Sequence, residues 1–351
     1  MSEPTILVDD SLLTGAVNVL PMHWLEGARV VAYTSGSLAD APLHEADGLL
    51  LRSVTRVGPH EIARASKLAA VATLSSGTDH VDEDGLDARG IGFFTGRGGN
   101  AIAVADWVHW SLWCASGRGS REGFLQGKTA LVVGCGAVGT LVDERLRQLG
   151  ATTILCDPPR ARRDSGFASM EIDAALAIAP EIITLHTPLV RAGADATLHL
   201  LDADRLQRCR DAIVINAARG DVLDATSAAE LRRQGHLAGL YLDTFPNEPN
   251  VDAALVQACD AATPHVGGHS IEGKLRVAAW PLAALRKHLG LPPVIELQAA
   301  IDSAIADRPA DRTEDPFASL DETDAEFRAD PGPFRRHRGG QFRTERVLYI
   351  Q

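Results

Sequence analysis

Short apolar runs rich in β-branched residues recur along the chain and alternate with stretches of helical spacing. In the N-terminal part these runs occupy residues 5–8, 29–33, 48–51 and 68–74. Further along they occupy residues 130–133, 152–156, 181–185, 212–215, 237–242 and 261–263. Such alternation of buried strands with helices predicts an α/β fold built on parallel sheets.

The glycines that follow the run at 130–133 have a spacing with a specific use. Gly134, Gly136 and Gly139 form a G-x-G-x-x-G pattern, and a segment of helical periodicity follows them. The next predicted strand leads into Asp157, eighteen residues after Gly139. In a βαβ unit, such glycines and the helix N-terminus hold a pyrophosphate, while the acid accepts hydrogen bonds from a ribose diol and repels a 2′-phosphate. We therefore predict NAD as the cofactor, the alternative being an ordinary turn between strand and helix.

The length of the chain and the position of this motif together predict two domains. A chain of 351 residues exceeds the length at which one core usually splits. We predict two doubly wound parallel-sheet domains with the active site in the cleft between them: a flavodoxin-like substrate domain (1–98 and 267–290) and a Rossmann NAD-binding domain (99–266). Residues 291–351 are expected to form a short C-terminal extension.

Composition and charge exclude several classes of partner. The apolar fraction is 45%, and the net charge of −12 offers no electrostatic footprint for nucleic acid or an anionic membrane. The five cysteines are scattered without a C-x-x-C pair, which indicates free thiols in a reducing compartment and no metal site. The acidic N-terminus does not resemble a signal peptide, and no segment is long and apolar enough to span a membrane. A cytoplasmic location is expected.

Three residues beyond the glycine motif are candidate catalytic groups: Arg219, Glu248 and His265. Arg219 and His265 follow predicted strands, at the edge where doubly wound sheets bind ligands, and Glu248 lies in a Pro-rich loop after another strand. Each has an ordinary alternative: an ion pair with a surface carboxylate for Arg219, solvation for Glu248, and a hydrogen-bonded strand end for His265. Their joint placement beside a dinucleotide motif favours catalysis.

Nearly the whole chain resembles the D-isomer-specific 2-hydroxyacid dehydrogenase family. The resemblance is carried by LLRSVTRV at 50–57, SGTDHVD at 76–82, VVGCGAVG at 132–139, INAARGDVLD at 215–224, LDTFPNEP at 242–249 and PHVGGHSIEGK at 264–274. It implies NAD-dependent oxidation of a small, phosphorylated D-2-hydroxy acid by a homodimer. Two alternatives stay open: another acid, of the phosphoglycerate or glyoxylate type, and a non-catalytic NAD-sensing binding protein on the same fold.

The resemblance also implies roles for individual residues. Arg219 binds the substrate carboxylate, His265 takes the hydroxyl proton, and Glu248 orients and polarises His265. The predicted cofactor contacts are Gly134, Gly136, Val138, Gly139, Asp157, Thr187, Ala217, Asp243 and Gly268. The predicted substrate contacts are Arg52, Ser53, Ser75, Gly77 and His269, the last standing where the branch most similar to this chain usually carries a tyrosine.

A phosphorylated substrate requires local cations, because the protein is acidic overall. Arg52, beside Ser53, is the first candidate, and Arg97 in a glycine-rich loop is the second. The remaining candidates lie in the tail: Arg335, Arg336 and Arg338. For each of these arginines the alternative is a solvated surface side chain.

The chain beyond about residue 299 becomes rich in Asp, Arg and Pro until an apolar run at 346–350. This composition is typical of a partly disordered tail whose end docks. The segment 100–116 carries Trp107, Trp110 and Trp113 on one predicted helix, more than one small core usually needs. We therefore predict that part of this helix packs against a second subunit, the alternative being an intramolecular core.

Overall fold

The structure is a computed structural model, and it describes residues 3–14, 20–118, 123–305, 317–332, 334 and 338. Within these ranges the chain folds into two compact units. One comprises Met1–Asn100 with Ile271–Asp307, and the other comprises Ala101–Ser270 with Arg308–Gln351. They are called unit 1 and unit 2 below.

The strands and helices are numbered along the chain. The strands are β1 (Thr5–Asp9), β2 (Arg29–Tyr33), β3 (Gly48–Leu51), β4 (Ala70–Thr73), β5 (Gly92–Thr95), β6 (Thr129–Val133), β7 (Thr152–Cys156), β8 (Ile182–Leu185), β9 (Ile213–Asn216), β10 (Gly239–Leu242) and β11 (Ala261–Ala262). The helices are α1 (Ser11–Thr14), α2 (Pro59–Arg64), α3 (Glu83–Ala88), α4 (Ala101–Ala115), α5 (Ala137–Gln148), α6 (Pro158–Arg163), α7 (Ile172–Leu176), α8 (Ala203–Gln207), α9 (Ala225–Arg233), α10 (Ala253–Ala258), α11 (Ile271–His288), α12 (Ile295–Ile305) and α13 (Ala318–Ala329). Short 3₁₀ helices occupy Met22–Leu25, Leu43–Glu45 and Gly220–Val222.

Unit 1 is built on a parallel sheet with the strand order β2-β1-β3-β4-β5. This is the flavodoxin-like order of a doubly wound fold, as predicted. Strands β1, β3 and β4 are buried along their whole length, because apolar side chains cover the sheet on both faces. Helices α11 and α12 supply part of the core on one face.

Unit 2 is built on a second parallel sheet, with the order β11-β10-β9-β8-β6-β7. The prediction of two doubly wound α/β sheets is therefore confirmed. Along β6, Ala130 and Val132 join one core while Leu131 and Val133 join the other, which is the period of two expected of a strand. The strand order reverses beside β6, the position at which such sheets bind their ligands.

Helix α13 covers the open edge of the second sheet. The backbone N–H of Ala262, on the edge strand β11, donates to Asp324 Oδ1 at 2.7 Å. Leu320 belongs to the core on one face of the sheet, and Phe327 belongs to the core on the other. An exposed strand edge invites pairing with other chains, so this helix removes a surface on which the sheet could be extended.

The two tryptophans nearest the start of α4 are buried within the chain itself. Trp107 and Trp110 are both 0% exposed. The indole N–H of Trp107 donates to Thr263 Oγ1 at 2.8 Å, and that of Trp110 donates to Asp321 Oδ1 at 2.9 Å. The intramolecular core therefore accounts for both rings, and neither argues any longer for a second subunit.

A buried ion pair joins α4 to α5. Arg145 Nη1 lies 2.7 Å from Asp106 Oδ1, and the side chains are only 10% and 6% exposed. Removing either side chain would leave the other charge buried without a counter-charge, because water cannot take the place of the missing partner.

None of the helices in the described part of the chain combines the length and the hydropathy needed to cross a membrane.

Candidate active site

The turn after β6 has the backbone that a pyrophosphate requires. Gly134 adopts φ +84°, and a Cβ there would lie 2.8 Å from the backbone of His186 and Thr187. A Cβ on Gly139 would overlap the carbonyl oxygen of Gly134, so only glycine lets α5 start this close to β6. A Cβ on Gly136 would meet nothing within 4 Å, which leaves open space at the N-terminus of α5. Open space beside unpaired helix amides suits an anionic group.

Asp157, which follows β7, is held against this turn. Its Oδ2 accepts the N–H of Cys135 at 2.8 Å, and its Oδ1 accepts the N–H of Arg160 at 2.9 Å. A carboxylate has about four acceptor positions, so these two bonds leave capacity for a ribose diol. Thr187 Oγ1 is buried and has no hydrogen-bond partner among the described residues. The acid, the glycine turn and this hydroxyl together fit a dinucleotide.

Arg160 lies three residues after Asp157, and its positive charge could favour a cofactor with a 2′-phosphate, but its side chain is already engaged. Its Nη1 donates to Cys135 O at 2.6 Å and to Thr140 Oγ1 at 3.1 Å. Its guanidinium carbon lies 4.1 Å from the centroid of the Phe167 ring. These contacts hold the cation against the turn itself.

His265 and Glu248 form a hydrogen-bonded pair in the same unit. His265 Nδ1 lies 2.8 Å from Glu248 Oε2, and the side chains are 28% and 20% exposed. Glu248 Oε1 accepts the backbone N–H of Phe245 at 2.9 Å, which fixes the other half of the carboxylate. Burial alone would raise the pKa of Glu248, but the hydrogen bond and charge of His265 and the amide of Phe245 bring it below its usual value. The carboxylate is therefore ionised and aimed at the imidazole.

Asp243, at the end of β10, organises the turn that carries His265. Its carboxylate accepts bonds from the Thr263 hydroxyl at 2.6 Å and from the amides of Val266 and Gly267 at 2.8 Å each. Burial raises the pKa of Asp243, although the charge of His265 and these bonds oppose the rise. His265 itself has φ +58°, a left-handed conformation that ordinary residues rarely adopt. The role of Asp243 in NAD binding remains a prediction. The structure shows in addition that its carboxylate supports the turn that carries His265.

Arg219 stands at the start of the turn after β9. Asn216 Nδ2 donates to the carbonyl oxygen of Arg219 at 2.9 Å, and Arg219 Nη1 donates to Ala218 O at 2.8 Å. A Cβ on Gly220 would overlap the backbone of Phe245. The arginine turn therefore packs against the loop that leads to Glu248, and the three candidate catalytic residues belong to adjoining turns of unit 2.

The predicted substrate contacts divide between the units. In unit 1, Arg52 Nη1 donates to Ser11 Oγ at 3.0 Å, and Ser53 is exposed. Ser75 Oγ donates to Gly77 O at 2.8 Å within the turn after β4. His269 belongs to unit 2, where its backbone N–H donates to Val266 O at 2.8 Å, as part of the turn that also holds Gly268.

The other arginines predicted to meet a phosphate differ in their surroundings. Arg97 donates to Thr78 Oγ1 at 2.9 Å and pairs with Glu83 at 3.1 Å, on the surface. Arg338 is half-buried in unit 2. Arg335, Arg336 and the apolar run 346–350 lie outside the described residues.

Comparison with known proteins identifies the family. The family model described as "D-isomer specific 2-hydroxyacid dehydrogenase, NAD binding domain" matches residues 99–267. The erythronate-4-phosphate dehydrogenase of Serratia proteamaculans is 38% identical over 261 residues, which is 74% of this chain and 69% of that protein. The chain belongs to the D-isomer-specific 2-hydroxyacid dehydrogenase family. The erythronate-4-phosphate dehydrogenase of Chromohalobacter salexigens is 42% identical over 254 residues, or 72% of this chain and 65% of that protein.

Two solved structures share the fold of this chain. The D-lactate dehydrogenase of Aquifex aeolicus, complexed with NAD and lactic acid, has a TM-score of 0.64 at 18% identity, covering 85% of this chain and 98% of that chain. The NAD-dependent formate dehydrogenase of Staphylococcus aureus, complexed with NAD, has a TM-score of 0.62 at 21% identity, covering 84% and 98%. The family match at residues 99–267 assigns the NAD-binding domain of a 2-hydroxyacid dehydrogenase to unit 2.

The sequence did not reveal the set of hydrogen bonds by which Asp243 holds the His265 turn. The only signal for it was an acid directly after a strand. No group of three or more potential metal ligands is present in the described ranges.

Proposed function

We propose that this chain oxidises 4-phospho-D-erythronate to 2-oxo-3-hydroxy-4-phosphobutanoate with NAD⁺, a step of pyridoxal 5′-phosphate biosynthesis. The observation that carries the proposal is the 2.8 Å hydrogen bond between His265 and Glu248 in the unit that also holds the dinucleotide turn. The relatives named erythronate-4-phosphate dehydrogenase, at 38% and 42% identity, support this choice of substrate.

The proton of the substrate hydroxyl would pass to His265. With Nδ1 protonated and directed at the Glu248 carboxylate, Nε2 carries the lone pair and can accept a proton. The carboxylate then stabilises the imidazolium that forms, and general bases of this kind contribute about 10²–10⁴-fold in rate. Proton transfer is thus assigned to the part of the site with the best-defined geometry.

The substrate carboxylate would be held by Arg219. A guanidinium presents donors in a planar fork that matches a carboxylate, and the bonds it makes are strengthened by both charges. The turn of Arg219 packs against the loop leading to Glu248. The same loops would therefore set both the position of the acid group and that of the proton acceptor.

The cofactor would be held by Gly134, Gly136, Val138 and Gly139 at the pyrophosphate, by Asp157 at a ribose, and by Thr187, Ala217, Asp243 and Gly268 elsewhere. When bound, NAD⁺ supplies the acceptor for the hydride that leaves the substrate carbon. The role of the protein is to hold the cofactor in place and to remove the proton.

The phosphorylated end of the substrate is assigned to Arg52. Its guanidinium donates a hydrogen bond to Ser11 Oγ, and Ser53 is the next residue in the turn after β3. Arg97 is a weaker candidate, since its guanidinium already pairs with Glu83 at 3.1 Å on the surface. Ser75, Gly77 and His269 complete the proposed set of substrate contacts.

A homodimer in the cytoplasm is the finer part of the proposal. The dimer follows from the family resemblance and no longer from the tryptophans of α4. The cytoplasm is supported by the five free cysteines, four of them buried, which suit a reducing compartment.

The test is turnover by the purified protein. We expect reduction of NAD⁺ with 4-phospho-D-erythronate at a kcat/KM at least ~10-fold above that with 3-phospho-D-glycerate or D-glycerate, because binding of the matching phosphate adds at least ~1.4 kcal/mol. His265→Asn should bind NAD normally and lose roughly 100-fold or more in turnover.

A second candidate is the same oxidation of a different D-2-hydroxy acid. His269, in place of the tyrosine usual in the similar branch, is the observation that favours it. Faster turnover of phosphoglycerate or glycerate would select this candidate. NAD binding without turnover of any acid would select a binding protein.

A further inference from the structure

The strand order of unit 1 reverses between β1 and β3. In a doubly wound sheet of this order, the ligand crevice lies outside the carboxyl ends of the two strands that flank the reversal. Asp9 is the last residue of β1, and Arg52 directly follows β3. A carboxylate and a guanidinium therefore flank the position at which this sheet is expected to bind a ligand.

Asp9 is buried, and both oxygens of its carboxylate accept hydrogen bonds. The residue is 0% exposed. Its Oδ1 accepts the backbone N–H of Ser11 at 3.1 Å and the Ser11 hydroxyl at 2.5 Å. Its Oδ2 accepts the hydroxyls of Ser35 at 3.0 Å and Thr55 at 3.3 Å. These donors stabilise a carboxylate that would otherwise be costly to bury.

The hydroxyl of Ser11 links this carboxylate to Arg52. A hydroxyl has one proton to donate and two lone pairs that accept. The Ser11 proton goes to Asp9 Oδ1, because that contact of 2.5 Å is much shorter than the 3.4 Å to Ser35 Oγ. A lone pair of Ser11 Oγ then accepts from Arg52 Nη1 at 3.0 Å. Asp9 thus sets the direction of the hydroxyl, and the hydroxyl holds one end of the guanidinium.

Most donors of the Arg52 guanidinium stay available for a ligand. The side chain is half-buried, and Ser11 Oγ is the one hydrogen-bond acceptor that it reaches among the residues that the structure describes. Arg97 of the same unit, by contrast, pairs with Glu83 at 3.1 Å. Arg52 is therefore a half-buried cation that no described carboxylate neutralises, and its planar fork matches the oxygens of a phosphate.

We propose that Asp9 and Ser11 are positioning residues of an oxyanion subsite at the carboxyl ends of β1 and β3, where they fix the guanidinium of Arg52 for the phosphate group of the substrate. The anchoring carboxylate lies one hydroxyl away from the cation, so it does not occupy the fork that would bind the ligand. The inference rests on the proposed function for the identity of the ligand, whereas the contacts among the three residues belong to unit 1 itself.

The size of the effect follows from the freedom that Arg52 would gain. Without the Ser11 hydroxyl the cation is still present, but it is no longer held in one orientation, and the ligand has to order it. Ordering one long side chain corresponds to about 3- to 10-fold in affinity. Ser11→Ala should therefore weaken binding of a phosphorylated acid by this factor, and Arg52→Ala should weaken it more, because it removes the cation.

The test is to measure Kd for 4-phospho-D-erythronate and for D-erythronate by calorimetry on the full-length protein. The ratio of the two values gives the preference for the phosphate. This preference should fall by about 3- to 10-fold in Ser11→Ala. It should stay within about 2-fold of wild type in Ser11→Thr, which keeps a hydroxyl. Ser35→Ala is the matched control and should also stay within about 2-fold, because Ser35 binds the same carboxylate without contacting Arg52.

Two further variants test the order of the contacts. Since Ser11 acts through Arg52, the double variant Ser11→Ala/Arg52→Ala should have the same preference as Arg52→Ala alone. Asp9→Asn should lower the preference as Ser11→Ala does, because it removes the charge that anchors the hydroxyl. Melting temperatures report whether each variant is folded, and if Asp9→Asn is not, the Ser11 variants decide alone.

A wild-type preference in Ser11→Ala or in folded Asp9→Asn, with the preference lost in Arg52→Ala, would overturn the inference and leave the proposed function intact. A further loss from Ser11→Ala in the Arg52→Ala background would also overturn it, since Ser11 would then act independently of Arg52.

A wild-type protein with no preference for the phosphorylated acid would count against the proposed function. Inorganic phosphate, titrated by ³¹P NMR, then decides the subsite. Weaker phosphate binding in Ser11→Ala and Arg52→Ala than in Ser35→Ala would support the inference. Equal binding in all three variants, or no binding to the wild type, would overturn it.

Discussion

Replacing Glu248 by Gln tests the central pair with a change of one atom. The carboxylate uses both oxygens as acceptors: Oε1 binds the N–H of Phe245 at 2.9 Å, and Oε2 faces His265 Nδ1 at 2.8 Å. A glutamine has one oxygen and one NH₂ group, so it can satisfy only one of these donors. If its oxygen stays with Phe245, its NH₂ faces Nδ1 and moves the imidazole proton to Nε2. Nε2 is then no longer an acceptor, and the base is lost.

The size of the effect follows from two contributions. A hydrogen bond to a charged group contributes about 1.5–3 kcal/mol, which corresponds to about 10- to 150-fold in rate if the bond is lost in the transition state. The wrong tautomer adds to this loss, and a misoriented triad histidine in another enzyme shows a cost of about 10⁴-fold in kcat. We therefore expect Glu248→Gln to lower kcat by about 10³-fold, within the range of a lost general base.

The pH dependence expected of the pair follows from the pKa of Glu248. Burial raises this pKa, but the hydrogen bond and charge of His265 and the amide of Phe245 bring it below its usual value. The carboxylate is therefore ionised throughout the neutral range, and the contribution of Glu248 to kcat should fall only in acid, as the pH approaches that lowered pKa and the carboxyl binds a proton.

The assay is steady-state reduction of NAD⁺ from about pH 5 to 10, with NAD affinity measured separately. Glu230→Gln, which removes an exposed carboxylate of α9 paired with Arg233, is the matched control and should behave as wild type. A kcat for Glu248→Gln within a factor of about 10 of the wild-type value would contradict the assignment of Glu248 as the partner of the base.

Three further predictions concern the cofactor, the substrate and the fold. Asp157 should give a kcat/KM with NAD at least ~10-fold above that with NADP, because its charge repels a 2′-phosphate, and an NADP preference measured with both cofactors would refute this reading. Arg52→Ala should raise KM for the phosphorylated acid by at least ~10-fold and change KM for the unphosphorylated analogue little, whereas equal losses on both would assign Arg52 to the carboxylate or the fold. Asp106→Asn should reduce the free energy of unfolding by about 3 kcal/mol in urea titrations, because it leaves Arg145 buried without its counter-charge, and a loss below about 1 kcal/mol would contradict a dependent pair.

The strands were predictable from the sequence where both faces are buried. In β6 the run TALVV is apolar because two cores cover it, and such a run stands out from its polar flanks. Strand β5 was not predicted, because the run Gly92–Thr95 is short, half-exposed and begins with a glycine. The edge strands β2 and β7 are no better buried but were predicted, because each has five residues and two or more β-branched side chains.

The candidate site was predictable to the extent that it depends on local backbone. Gly134 and Gly139 could be assigned because their spacing alone dictates a turn that other residues cannot adopt. The contact of His265 with Glu248 joins residues seventeen positions apart and came from the family resemblance. No spacing rule would have predicted it, since it requires a left-handed residue at 265 and the support of Asp243.

Helix α13 shows why the polar tail was the least predictable part. The composition of the tail, which is rich in Asp, Arg and Pro, suggested a partly disordered segment, but two aspartates of α13 accept hydrogen bonds from groups that would otherwise be unsatisfied. Asp324 takes the free N–H of Ala262 on the sheet edge, and Asp321 takes the buried indole N–H of Trp110. A buried donor without a partner costs about 1–3 kcal/mol, so the carboxylates stabilise the docked helix at these points. A charged tail therefore indicates disorder only when the rest of the fold offers no hydrogen-bond donors to its carboxylates. Whether such donors exist depends on the folded edge of the sheet, so the sequence of the tail alone does not reveal it.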